Sequence, residues 1–333
     1  MQSKRIVWID WMKTIGMLLI IWGHCFPEGM SSFIYAFNVP VFFIVSGFLT
    51  HREPSMRVCF DKTLHNLVIP YFILAFIKAA GYMFKHISDG QWLWSVIAIF
   101  GGFHRLHDAS GCSNLWFVYT LILIKLIYQS LPNHRMAISL ISICGAIIYQ
   151  YVGIEELSWS VINVLTALPF FMLGNYLATN KFFDKCTARI QQMNLKGWML
   201  LFLSLIAVTY VVSYFNDSAK LYQGLYGNSL ILFTIASLTG SCIVYILSVK
   251  LNDFNWKWMQ ISAIGTIVTL VFHRELLHPL IKWIDKTDMG IIEENIALFL
   301  SSVLVLLAFV PIILVVKRVF PIVLGRRIRK SIV

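Results

Sequence analysis

Charge is what this sequence has least of. Charged residues fill 13% of its 333 positions, about half the ~25% with which a soluble domain covers its surface. Acidic residues are the scarcer sign, 16 against 27 Lys and Arg, leaving a formal net charge of +11. Linkers rich in Gly, Pro or Ser are missing, as is any internal repeat, so nothing divides the chain and it reads as one domain over 1–333. No C-x-x-C pair occurs among the six cysteines, which argues against a zinc site. The first apolar run holds Asp10 and Lys13 and is followed by no small-residue cleavage site. It is therefore expected to remain as a first span rather than leave as a signal peptide.

Apolar sequence fills the space that charge leaves. Hydrophobic residues make up 58% and the mean hydropathy is +0.75. Crossing ~30 Å of hydrocarbon takes about 20 predominantly apolar residues. Ten such runs are expected to span: 6–25, 31–50, 66–84, 114–131, 136–153, 159–178, 197–215, 229–249, 259–280 and 295–316. A shorter run, Trp92 to Phe103, reads as interfacial or re-entrant. The expected fold is all-α, a polytopic membrane bundle of about ten helices.

Ten spans place both termini on one side, and the basic residues choose it. With the termini cytoplasmic, eighteen Lys and Arg lie inside, five (Lys85, Arg105, Lys220, Lys282, Lys286) outside, and Lys13, Lys78, Lys125 and Arg274 within spans. That bias is the positive-inside pattern. Topology thus explains the net charge, with no need for nucleic acid as a partner. The basic tail (Arg326, Arg327, Arg329, Lys330) suits anionic lipid headgroups.

Ionisable groups inside a bilayer cost about 2.5–3.5 kcal/mol each on insertion scales, so they are functional candidates. Lys13 and His24 are eleven residues apart, about three helical turns, which puts them on one face and ~16 Å apart along the axis. Asp10, three residues before Lys13, is placed to pair with it. A cation near the inner face can hold an anionic donor, and a histidine farther along can act as general base. The plainer alternative is that Lys13 snorkels, Asp10 caps it and His24 bonds a neighbouring helix. The ninth run holds His273, Arg274, Glu275 and His278; Lys78 and Lys125 read as snorkelling or structurally partnered. Asn38 beside the kink-forming Pro40, with Tyr71 and Trp116, is a candidate cavity lining. Loop 85–113, with His86, His104, Arg105, His107 and Asp108, reads either as a lid or as a solvated loop. A Cys25–Cys112 bridge is open to it by sidedness, and no metal site is expected.

The pattern Asp10-x-x-Lys13, ten residues, His24 resembles the first-helix motif of the membrane acyltransferase-3 family, usually arginine, ten residues, histidine. The block Asn38 to Leu49 (NVPVFFIVSGFL) resembles the family's P-x-F-F-x-x-S-G-F. Ile69-Pro70-Tyr71, Leu115-Trp116-Phe117, Phe170 to Gly174 (FFMLG) and Ile264 through His273 follow in family order. The resemblance implies an enzyme that moves an acyl group, most often acetyl, from acyl-CoA to a hydroxyl of a cell-surface or lipid-linked carbohydrate. It implies no permanently bound cofactor and a multi-pass place in a bacterial inner membrane. His24 would be base or transient acyl carrier; Asp10 would orient Lys13; Lys13, Lys62 and Arg57 would hold the CoA phosphates; Asn38, Tyr71, Trp116, His273 and Glu275 would meet the acceptor. Lysine at 13 lacks the two-pronged fork of arginine, and Asn66 replaces a basic residue often found before the Pro-Tyr pair. The extracellular esterase-like domain that some relatives append is not expected here. A transporter or flippase for a glycan or its lipid-linked precursor is the competing reading, suited by buried ions and kinked helices.

Overall fold

Apolar runs without interruption favour helix, because hydrocarbon offers no partner to backbone N–H and C=O groups. The computed structural model describes residues 5–102, 113–131, 134–152 and 160–325, and among them the regular structure is helical, with one isolated bridge between Lys220 and Leu225. In chain order the first helices are α1 (Val7–Gly23), α2 (Ser31–Phe37), α3 (Pro40–Leu49), α4 (Met56–Thr63) and α5 (Ile69–Lys85). Next come α6 (Trp92–Gly101), α7 (Trp116–Ser130), α8 (Arg135–Val152), α9 (Val161–Thr179) and α10 (Phe182–Gln192). The last are α11 (Leu195–Asn216), α12 (Leu230–Lys250), α13 (Lys257–Ile264), α14 (Thr266–Ile284) and α15 (Ile291–Val319).

Local chemistry sets many of the boundaries. Ser55, Asn194 and Ser229 cap α4, α11 and α12 by accepting from the backbone N–H of Val58, Gly197 and Ile231. Pro40 opens α3, and across the break at Asn38–Val39 α2 and α3 make up one span, Ser31–Leu49. Pro70 has no N–H to give, and the turn before it, Leu64–Val68, widens to a π-helix.

Every one of the ten expected runs falls on helix. Among the described residues seven helical segments are long and apolar enough to cross a membrane, and eight if one bent pair counts as a span. The first and fourth runs form shorter helices, of 17 and 15 residues. The run 259–280 corrects the sequence reading. It is not one helix: α13 and α14 meet at 92° around Gly265. A Cβ there would overlap the side chain of Ile313 from α15, so glycine lets α15 press into the corner. Hydropathy cannot register such a break, since it sees composition rather than shape.

Helix α1 is central, with Trp8, Ile9, Met12, Met17, Ile20 and Ile21 buried around its circumference, and it touches α2, α3, α12, α13, α14 and α15. Beside it α3 and α9 make the closest pairing. A Cβ on Gly47 would overlap the Phe171 carbonyl oxygen, and one on Gly174 would overlap that of Ile44. Two sequence blocks far apart in the chain, SGF and FFMLG, therefore meet backbone to backbone, the close approach that small residues permit in membranes. Asn175 reinforces the seam, donating to the carbonyls of Gly47 (3.3 Å) and Thr50 (2.7 Å) while accepting from Tyr128 Oη (3.0 Å). Gly174→Ala is expected to destabilise the protein by about 1–3 kcal/mol or more, as overpacking does. A lower thermal midpoint in detergent checks this; an unchanged midpoint would show that the seam has slack.

Candidate functional site

At the C-terminal end of α1, His24 caps the last turn and meets His273 of α14. The Nδ1 of His24 lies 2.9 Å from the Nε2 of His273. His273 is fully buried, and its Nδ1 lies 3.0 Å from the carbonyl oxygens of both Thr269 and Leu270. Carbonyls only accept, so in the neutral pair His273 carries its proton on Nδ1 and its Nε2 accepts. His24 must then donate from Nδ1, which leaves the lone pair on its Nε2. The packing of one helix end thus fixes the tautomer of a residue on another.

His24 lines a cavity of about 410 Å³ with Tyr35, Asn38, Asn114, Trp116, Leu270 and Arg274. Asn38 is only 3% exposed, and its Oδ1 accepts no hydrogen bond from a described residue. Asn114 ties the start of α7 to α14 by donating to the Leu270 carbonyl at 3.1 Å. Residues Ser218 to Tyr222 form the opposite wall. Asn216 holds that loop, donating to the Tyr226 carbonyl (2.7 Å) and accepting from the Ser229 N–H (2.8 Å). Gly227, at φ +75°, sits so close to Asn216 that a side chain would not fit.

A second opening lies at the other end of α1. Thr50, Glu53, Cys59, Lys62, Lys125 and Tyr128 are among the residues around a cavity of about 220 Å³. Arg57, Asp61, Lys62 and Asn66 line an adjoining one of about 600 Å³. Lys62 pairs with Glu53 at 2.5 Å, and Asp61 faces His65 at 3.3 Å.

The structure brings together some of the sequence candidates and separates others. His24, Asn38 and Trp116 share the larger cavity, and His273 stands directly behind His24. Lys13 occupies the same helix as His24, eleven residues nearer the basic opening. Asp10 acts on Lys13 electrostatically, but its close ion pair is with another cation. It pairs with Arg5, which also donates to the Gln260 carbonyl at 2.9 Å and so ties the start of α1 to α13. A guanidinium reaching in from the extended residues before the helix serves both acceptors, which an ammonium in the helix interior cannot. Tyr71 is fully buried and donates to the Ile99 carbonyl at 2.8 Å, facing α6 rather than the cavity. Glu275 pairs with Lys78 on α5. Residues two apart on a helix diverge by about 200°, so His273 and Glu275 serve different neighbours.

Arg274, Tyr35 and Asn114 were not singled out as site residues by the sequence, although the in-span charge of Arg274 was a signal. The histidines of loop 85–113 beyond His86, together with Asp108, Cys112 and the tail arginines, lie outside the described residues. Cys25 places its thiol 3.5 Å from Ser302 Oγ. Among the described residues no group of three or more His, Cys, Asp and Glu is placed to hold a metal ion.

Comparison with known proteins gives one match. The acyltransferase-3 family model, described as an acyltransferase domain, matches residues 6–317. No curated protein and no solved structure matches.

The hydrogen-bond chain has a spectroscopic consequence. In ¹⁵N-histidine spectra of the neutral wild-type protein, His24 is expected as the Nδ1–H tautomer. His273→Ala should release it to a tautomer mixture; a His24 signal unchanged by that substitution would break the chain of assignments.

Proposed function

The chain belongs to the acyltransferase-3 family, and from that premise we propose that it transfers an acetyl group from acetyl-CoA to a hydroxyl of a cell-surface or lipid-linked carbohydrate. The observation that carries the proposal is the His24–His273 pair at the wall of the larger cavity. It leaves a lone pair on a histidine that an acceptor hydroxyl can approach.

In the proposed reaction the hydroxyl oxygen attacks the thioester carbonyl carbon while His24 Nε2 takes the hydroxyl proton. The C–S bond breaks as the tetrahedral intermediate collapses, and the CoA thiolate leaves with the proton that His24 held. A short-lived acyl group on His24 would use the same lone pair. His273 acts as a positioning residue, holding the His24 ring and its tautomer. Arg274 supplies positive charge at the cavity for the oxyanion. Trp116 and Tyr35 offer aromatic faces to a sugar ring, and the open acceptor of Asn38 suits a further hydroxyl. Lys13, Lys62 and Arg57 lie toward the other opening, where they would meet the donor's phosphates. Asp10, tied to Arg5, serves the placement of α1 and stands within electrostatic reach of Lys13.

With the basic side cytoplasmic, the donor enters from the cytoplasm of a bacterial inner membrane and the acceptor from the opposite face. Purified wild-type protein, given labelled acetyl-CoA and a pool of lipid-linked and surface glycans, should release CoA and label a glycan. His24→Ala should lower that rate about 10²–10⁴-fold, the range lost with a general base. Equal turnover by both proteins would remove His24 from the chemistry.

A further inference from the structure

Lys220 is one of the five basic residues that the sequence reading places outside, where the charge bias disfavours them. The structure sets it on the 410 Å³ cavity that His24 lines, in the wall formed by Ser218 to Tyr222. Its main chain is fixed. The Lys220 N–H donates to the Leu225 carbonyl at 2.8 Å, and the Lys220 carbonyl accepts from the Leu225 N–H at 3.2 Å. Gly224, at φ +69°, closes the turn between them. The side chain of Lys220 is exposed and makes no ion pair with a described residue.

Arg274 is the second cation of this cavity, within electrostatic reach of both His24 and Tyr35. Among the described residues that line the cavity there is no Asp or Glu. The carboxylates nearest in sequence are engaged elsewhere. Glu275 pairs with Lys78, and Asp217 accepts the Ser218 N–H at 2.6 Å. Glu28, in the turn between α1 and α2, is exposed and does not belong to the lining. The lining thus offers positive charge from two walls, beside the open Oδ1 acceptor of the buried Asn38. A cleft lined by one sign of charge between low-dielectric walls concentrates ligands of the opposite sign. A neutral sugar is served by balanced donors and acceptors; surplus positive charge discriminates in favour of a ligand that brings a negative group.

We propose that the acceptor carries a negative charge, and that Lys220 binds this charge while a hydroxyl of the same molecule reaches His24. This names the acceptor class for the acetyl transfer proposed above and rests on that reading. The two cations divide the work by position. Arg274, beside His24, serves the oxyanion, and Lys220, on the opposite wall, meets the charge that the acceptor brings. Two groups carry the required chemistry: a carboxylate on the sugar, and the phosphate that joins a glycan to its lipid. Either accepts charge-assisted hydrogen bonds from an ammonium group.

The test uses the full chain in phosphatidylcholine nanodiscs with saturating labelled acetyl-CoA and three acceptors. One is a glucuronate-containing oligosaccharide, the second its carboxyl-reduced neutral counterpart, and the third that neutral oligosaccharide carried on a polyprenyl pyrophosphate. The wild type should use at least one charged acceptor with a kcat/KM about tenfold or more above that of the neutral one. Preference for the glucuronate form identifies the carboxylate as the source, and preference for the lipid-linked form the phosphate. Lys220→Gln should remove the preference by raising KM for the charged acceptor about tenfold, while Lys220→Arg keeps it. Equal use of all three acceptors by the wild type, or a preference that survives in folded Lys220→Gln, would overturn the proposal. Binding of the same three compounds, measured by calorimetry without acetyl-CoA, separates this failure from that of the acyltransfer reading. Lys220-dependent, charge-selective binding with no turnover of any acceptor would keep the anion-selective cavity and refute acyl transfer. Turnover without charge selectivity would keep acyl transfer and refute the anionic acceptor, and no charge-selective binding or turnover at all would also overturn it.

Discussion

A helix enclosed on every side can keep ionisable groups only where its neighbours answer them, and α1 is enclosed in this way. Its three such groups are answered differently. Asp10 is answered by Arg5, which joins α1 to α13. His24 is answered by His273, whose own proton is fixed by two backbone carbonyls. Lys13 makes no ion pair among the described residues, but it lies within electrostatic reach of Asp10, three residues before it. Along α1 the ammonium of Lys13 and the lone pair of His24 thus stand ~16 Å apart by helical rise.

The remainder of the bundle keeps these ends in place. Gly47 and Gly174 let α3 and α9 touch through their backbones, and Asn175 extends that contact to Tyr128, whose ring carries the guanidinium groups of Arg52 and Arg135. At the other end Asn114 fastens α7 to the carbonyl of Leu270, the same carbonyl that His273 contacts. Asn216 clasps the loop that closes the opposite wall of the cavity. Buried asparagines thus do much of the positioning, as expected where polar groups in an apolar surrounding must find partners and so enforce a single geometry.

Sequence made the helical class legible because burying a backbone in hydrocarbon leaves few alternatives. That Lys13 lies on the helix that His24 caps was legible too, since one apolar run holds both. The resemblance of scattered blocks to the acyltransferase-3 family was sound, and the structure supplies a reason for two of them: SGF and FFMLG are halves of one helix contact. Other features were hidden. Arg5 and Lys13 both lie close to Asp10 in sequence, and only the path of the chain before α1 decides between them. The corner at Gly265 is set by Ile313, some fifty residues away.

The account makes the two ends of α1 parts of one reaction, with donor and acceptor on opposite sides of the membrane. Sealed vesicles holding protein of one orientation test this directly. Acetyl-CoA is supplied only on the side of the α1 N-terminus, and the carbohydrate acceptor only on the other. The account predicts labelled acceptor on the far side and free CoA retained on the donor side. Transfer only when both substrates share a compartment would contradict it.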